Sequence, residues 1–235
     1  MYDFILYPAF VLAIVFSLWA QVQVSSTYRK YSLVRTSNGR SAEAVADMIL
    51  RSNGIYDVRI ERVRGNLTDH YDPKAKVLRL SDTVYGSSTA AAVGVAAHEA
   101  GHAVQHAEKY VPIAIRSMLV PITNFASRIS WIIIMGGFLI TMFGRLTDFG
   151  YYAVLFGIAL FAFTAVFQLV TLPCEFNASK RAMVALENCG WYTREELSAS
   201  RKVLTAAAMT YVAALFLTIM QVLRLLAIFG GRRRN

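Results

Sequence analysis

Four apolar runs break the chain into two polar stretches, and this alternation organises the rest. Phe4 to Tyr28, Ile129 to Gly144, Phe149 to Cys174 and Val203 to Leu223 carry no charged residue. A hydrocarbon core of about 30 Å takes about 20 residues of α-helix. Three runs are long enough. The Ile129 run spans only about 24 Å at 1.5 Å per residue. It needs Arg128 and Arg145 to snorkel, or a helix that begins earlier. Four transmembrane helices are therefore expected, with the stretches 29–128 and 175–202 on one side of the membrane.

Within the first polar stretch the period changes from element to element. Ser41 to Asn53 repeats Ala44, Val45, Met48 and Ile49 at helical spacing, with Ser41 as N-cap and Asn53-Gly54 as the stop. Tyr56 to Val63 alternates through Val58 and Ile60, which predicts a strand. Gly65-Asn66 marks a turn. Leu67 to Tyr71 and Val77 to Leu80 read as further strands, joined through Asp72-Pro73-Lys74. Ser88 to Gln105, rich in Ala and Val and free of Pro, predicts one helix opening near Ser87-Ser88-Thr89. In the second polar stretch Glu175 is expected to open an amphipathic helix that ends at Cys189-Gly190. Thr193-Arg194-Glu195-Glu196 has capping-box spacing and starts a helix running into the last span. Arg224, inside that span, is expected to reach the far interface.

The expected architecture is mainly α. A transmembrane helix (1–28) precedes a small α+β domain (29–115). A transmembrane hairpin follows (116–174), then a helical segment (175–202), and a last span with a basic tail (203–235). Composition agrees, at 56% hydrophobic residues in 235. The net charge of +9 lies largely beside the spans, at Arg29, Lys30, Arg116, Arg128, Lys180, Arg181, Arg201 and Lys202, and in Arg232, Arg233 and Arg234. No basic stripe with interleaved aromatics is present, so a lipid bilayer is the expected partner and nucleic acid is not. Placing 29–128 and 175–202 in the cytosol puts most of these charges inside; the reverse puts only Arg145 and the tail there. The first run lacks a basic leader and a small-x-small cleavage site, so it reads as a signal anchor. Cys174 and Cys189 form no CxxC pair. The sequons Asn66-Leu67-Thr68 and Asn177-Ala178-Ser179 read as chance matches in cytosolic segments.

The chemistry sits in His98-Glu99-Ala100-Gly101-His102. Residues four apart on a helix share one face, so both imidazoles can bind one zinc ion. Glu99 can then take a proton from a water on that metal. An Ala-rich core helix is the plain alternative, but His, Glu and His are costly to bury there without partners. His106 continues the spacing. It stands about 12 Å along the helix from His98, too far for both to hold an ion at about 2.1 Å, so it is expected outside the ligand set. A catalytic zinc keeps three protein ligands and one open position. His70, His106 and the acidic residues are candidates for the third, and Glu175 stands out, because the four-span topology returns it to the face that carries the motif helix. A carboxylate answering a helix macrodipole is its plain alternative. His70 and Tyr71 are candidates for stabilising a developing oxyanion.

These stretches together resemble a known family, the neutral zinc metallopeptidases of the YugP type, membrane proteins of bacteria. The resemblance covers nearly the whole chain. It rests on His70-Tyr71-Asp72-Pro73, Val77-Leu78-Arg79-Leu80-Ser81, Gly94 to Ala103, and Leu172-Pro173-Cys174-Glu175-Phe176 with Ala178-Ser179. It is more distantly similar to HtpX-type membrane peptidases, where Ala-Asp follows the glutamate; here Ser179 stands in place of that Asp. The resemblance implies a zincin-like domain at one membrane face and peptidase activity in the bacterial plasma membrane.

The expected function is that of an integral-membrane endopeptidase with one zinc ion per chain. His98, His102 and Glu175 are its expected ligands, Glu99 its general base, and a membrane-associated protein or peptide its substrate. The alternatives are an intramembrane zinc protease and a non-enzymatic scaffold with a structural zinc. The run Val84 to Ala97 is too short for the first. The lack of an evident fourth ligand argues against the second.

Overall fold

The computed structural model describes residues 2–143 and 147–230. Arg145 and Arg232 to Arg234, which enter the charge argument, lie outside the described residues. The protein is mainly helical, 75%, with a small three-stranded sheet. In chain order the elements are α1 (Tyr2–Tyr31), α2 (Ala42–Ser52), β1 (Arg59–Val63), β2 (His70–Asp72), β3 (Val77–Ser81), α3 (Ala90–Ala107), α4 (Val111–Phe143), α5 (Thr147–Asn188) and α6 (Arg194–Gly230). Four helices, α1, α4, α5 and α6, are long and apolar enough to cross a membrane.

Of the two alternatives for the Ile129 run, the structure has the helix that begins earlier: the run belongs to α4, whose 33 residues begin at Val111. Arg116 and Arg128 fit within it, arginine being a good helix former. One expectation about helix limits is overturned: Glu175 does not open a helix. α5 runs unbroken through Pro173 and on to Asn188, so the macrodipole explanation for a carboxylate at 175 lapses. In long membrane helices, neighbouring groups tolerate the N–H that proline removes. The first two strands are also shorter than their patterns. Tyr56 to Val58 precede β1, and Leu67, at φ 54°, stays out of β2, because a left-handed residue cannot continue a strand.

The chain forms two compact units. One comprises Ala20–Ala114 and Leu172–Thr210. Its sheet has the order β1-β3-β2, with β1 parallel and β2 antiparallel to the central β3. Val77, Leu78 and Leu80 of β3 are buried, and Leu78 and Leu80 join a core with Leu50, Val93, Ala96, Ala97 and Leu186. The turn from β2 to β3 is built by Asp72, whose Oδ1 accepts the N–H groups of Lys74 and Ala75 at 3.0 and 3.1 Å. Those amides hold its carboxyl below the usual range.

The Ala- and Gly-rich composition of α3 has a packing cause. A Cβ on Gly101 would lie 2.7 Å from the Ala178 carbonyl oxygen, and one on Gly94 would lie 3.2 Å from Ser200 Cβ. The backbones of α5 and α6 thus approach α3 where only hydrogen fits. Thr89 caps α3, its Oγ1 accepting from the Ala92 N–H at 3.4 Å. The capping box of α6 forms as its spacing predicts: Thr193 Oγ1 accepts from Glu196 N and Glu196 Oε2 from Thr193 N.

The other unit comprises Met1–Trp19, Ile115–Thr171 and Tyr211–Asn235. Its buried centre is small, formed by Ile134, Val154, Ile158 and Leu225. Leu12, Ile132, Phe149 and Leu169 are among many large apolar side chains left exposed, as lipid-facing helices require. Glycine again permits close backbone approach, since a Cβ on Gly137 would meet the Gly150 oxygen at 2.7 Å.

Candidate metal centre

Helical spacing within α3 turns the two motif histidines to one side, their ring centroids 4.7 Å apart and nearly perpendicular at 83°. Across from them α5 presents Glu175, 2% exposed. Glu175 Oε2 lies 3.2 Å from His98 Nε2 and 3.6 Å from His102 Nε2. One ligand atom from each residue falls within 4.8 Å of the others. Among the described residues no fourth His, Cys, Asp or Glu joins this group.

The remaining ring nitrogens face inward partners. His98 Nδ1 lies 3.1 Å from Ser179 Oγ, and His102 Nδ1 lies 3.0 Å from Gln105 Oε1. Both Nε2 atoms are thereby left toward Glu175. Neutral imidazoles whose second nitrogen is held by a hydrogen-bonding group, beside a buried carboxylate, make a donor set of the kind that binds zinc. The residues present therefore fit the ion.

Glu99 neighbours this group on α3 and is itself buried, 9% exposed. Among the described residues no side chain or backbone group pairs with its carboxylate.

The other candidates stand elsewhere. His70 is exposed on β2, with Nδ1 2.9 Å from the Thr68 carbonyl oxygen and Nε2 3.2 Å from Arg79 Nη1. Nδ1 therefore donates to the first and Nε2 accepts from the second. Tyr71, half-buried on the same strand, packs its ring against His106 at 5.6 Å, and burial raises its phenol above the ordinary value. Neither they nor His106 belongs to the three-residue group.

Sequence reasoning missed Gln105 and Asn177. Gln105 is fully buried; its Nε2 donates to the Cys174 carbonyl at 2.8 Å and to Asn177 Oδ1 at 2.9 Å. The available signal was a glutamine three residues after His102, on the same face of an otherwise apolar helix. Asn177 and Ser179, which matched a sequon, both face this cluster instead. Ser179 also lines a cleft of about 310 Å³ with Phe176, Met183 and Leu204.

A helical protein with four membrane-length helices and a buried two-histidine, one-glutamate cluster is the setting of a membrane metallohydrolase. Residues 6–230 match the family model described as "Putative neutral zinc metallopeptidase", and the chain belongs to that family. It is 44% identical, over 96% of its length and 97% of the relative's, to a Bacillus subtilis (strain 168) protein named "Putative membrane protease YugP". The resemblance read from the motifs is thus borne out. No solved structure matches the chain.

Proposed function

We propose that this protein is an integral-membrane zinc endopeptidase in which His98, His102 and Glu175 hold one zinc ion and Glu99 is the general base. The observation that carries the reading is the convergence of one ligand atom from each of His98, His102 and Glu175 within 4.8 Å, beside an unpaired, buried Glu99 on the helix that carries the two histidines. When bound, the metal supplies an acidified water and polarises the scissile carbonyl. Glu99 takes the proton of the attacking water and delivers it to the leaving amide nitrogen. Gln105 and Ser179 hold the imidazole rings, and burial excludes bulk solvent.

An extended substrate segment pairs with the outer edge of β2, the strand nearest α3. Tyr71 is the better donor to the developing oxyanion, since both His70 ring nitrogens are already engaged. The stretches 29–128 and 175–202, and with them the site, face the cytosol, as the placement of Arg29, Lys30, Lys180, Arg181, Arg201 and Lys202 supports. Substrates are proteins or peptides that lie in the membrane or approach it. An intramembrane protease is disfavoured because α3 is not among the helices of membrane length and composition. A structural zinc normally takes four protein ligands, and three stand together among the described residues.

The test is zinc analysis with a casein-cleavage assay on detergent-purified protein. Glu175→Ala is expected to lose zinc. Glu99→Gln is expected to keep zinc and lose turnover about 10²–10⁴-fold. Undiminished cleavage by Glu99→Gln would remove the general base from the scheme.

A further inference from the structure

Four hydrogen bonds determine the proton position on His102. A backbone carbonyl can only accept and a guanidinium can only donate. The Cys174 carbonyl oxygen, 2.8 Å from the Gln105 amide, must receive an N–H, so the nitrogen of that amide faces Cys174. Arg181 Nε, 2.7 Å from Asn177, must donate, so Asn177 presents its oxygen to Arg181 and to the Gln105 amide nitrogen alike. Both constraints orient Gln105 the same way, and its oxygen is left toward His102 Nδ1 at 3.0 Å. That oxygen only accepts, so His102 carries its proton on Nδ1 and offers the Nε2 lone pair to the metal. Arg181 is held in turn by Glu108, 2.6 Å from Nη2, and keeps the Glu108 carboxyl below its usual range.

The Nδ1 side of His98 has no such constraint. Its Nδ1 partner is the Ser179 hydroxyl, 3.1 Å away, which can donate or accept. A serine hydroxyl does not dictate the proton.

We propose that Gln105 is a positioning residue that locks His102 in its metal-binding tautomer, and that this lock, rather than one at His98, sets the affinity of the site for zinc. The proposal rests on the zinc-site reading above. Gln105 does not touch the reacting atoms. It acts through His102, and its own orientation is imposed by Cys174 and Asn177.

The test compares Gln105→Leu, which fills a similar volume without polar atoms, with Gln105→Glu, which keeps an acceptor toward Nδ1. Zinc dissociation constants are measured by chelator competition on the full chain in detergent, with thermal unfolding alongside. Gln105→Leu is expected to weaken zinc binding about 10- to 100-fold, and Gln105→Glu to bind closer to the wild type. A residue that merely filled space would give the opposite order, with Leu tolerated and Glu disruptive; that order, or equal affinities, overturns the proposal. A second readout needs no metal and covers the case in which Gln105→Leu does not fold. In the zinc-free wild type labelled with ¹⁵N-histidine, with His102 assigned by loss of its signals in His102→Asn, Nδ1 is expected to carry the proton. A pyridine-type Nδ1 there overturns the lock. Wild-type protein that binds no zinc would instead overturn the zinc-site reading.

Discussion

The two compact units differ in where buried side chains find hydrogen-bond partners. In the unit of Ile115–Thr171 and Tyr211–Asn235, several buried hydroxyls bond to their own helix: Ser130 to the Ser127 carbonyl, Thr171 to that of Phe167, Thr218 to that of Ala214. In the unit that carries the candidate metal centre several partners are remote in sequence. Ser200 donates to the Ala90 carbonyl across 110 positions, Gln105 to that of Cys174 across 69, and Ser37 N–H to Glu196 across 159. The first unit is specified by local hydropathy and helix geometry. The second is held by pairs that exist only once distant segments have met. The candidate metal centre lies in the second, and its convergence of His98, His102 and Glu175 is a long-range arrangement of the same kind.

The contrast can be strained at three points. The largest effect is expected in the metal-centre unit's core. Leu78, fully buried on β3, should cost about 2–5 kcal/mol on replacement by Ala. Leu12, 64% exposed on α1, should cost far less, because lipid or detergent already covers it. Thermal unfolding in nanodiscs measures both, and equal losses would dissolve the distinction.

Close helix packing comes next. Gly101→Ala forces a methyl group onto the Ala178 carbonyl and should cost about 1–3 kcal/mol, while Gly136→Ala meets nothing within 4 Å and should be neutral. Because the strained contact joins α3 to the helix that bears Glu175, Gly101→Ala should also weaken zinc binding. Retained affinity alongside lowered stability would separate helix packing from ligand placement.

The smallest effect is electrostatic. Asp69 joins β2 to β3 by accepting from the Ser81 N–H and Oγ at 2.7 and 2.8 Å. Burial raises its carboxyl above the ordinary value despite those bonds. A carboxyl with a raised folded pKa favours the fold below its unfolded pKa, and that contribution is lost as pH rises through the folded value. Asp69→Asn, which does not titrate, should therefore gain on the wild type in melting temperature between pH 4 and pH 7. A difference that does not vary with pH would show that the burial penalty is absent.

The same contrast explains what could be read in advance. The four spans were legible because hydropathy is local, and His98, Glu99 and His102 because four residues of helix bring them together. The capping box of α6 was legible for the same reason. The continuity of α5 was not, since Pro173 and the change from apolar to amphipathic composition imitate a boundary. Glu175 was reached through topology and family resemblance. Gln105 was missed because its partners, Cys174 and Asn177, lie on another helix, and a glutamine among alanines gives no hint of what it will meet. His70 and Tyr71 were correctly seen on a strand, but which of their polar atoms would already be engaged depended on Thr68, Arg79 and His106.

Glu175 stands 77 positions after His98, with α4 and most of α5 between them. During synthesis a chain that has reached only His98 and His102 therefore holds two of the three members of the candidate metal centre. The site proposed above becomes complete only after α4 and the first part of α5 have been made, so on that reading no hydrolysis precedes the hairpin.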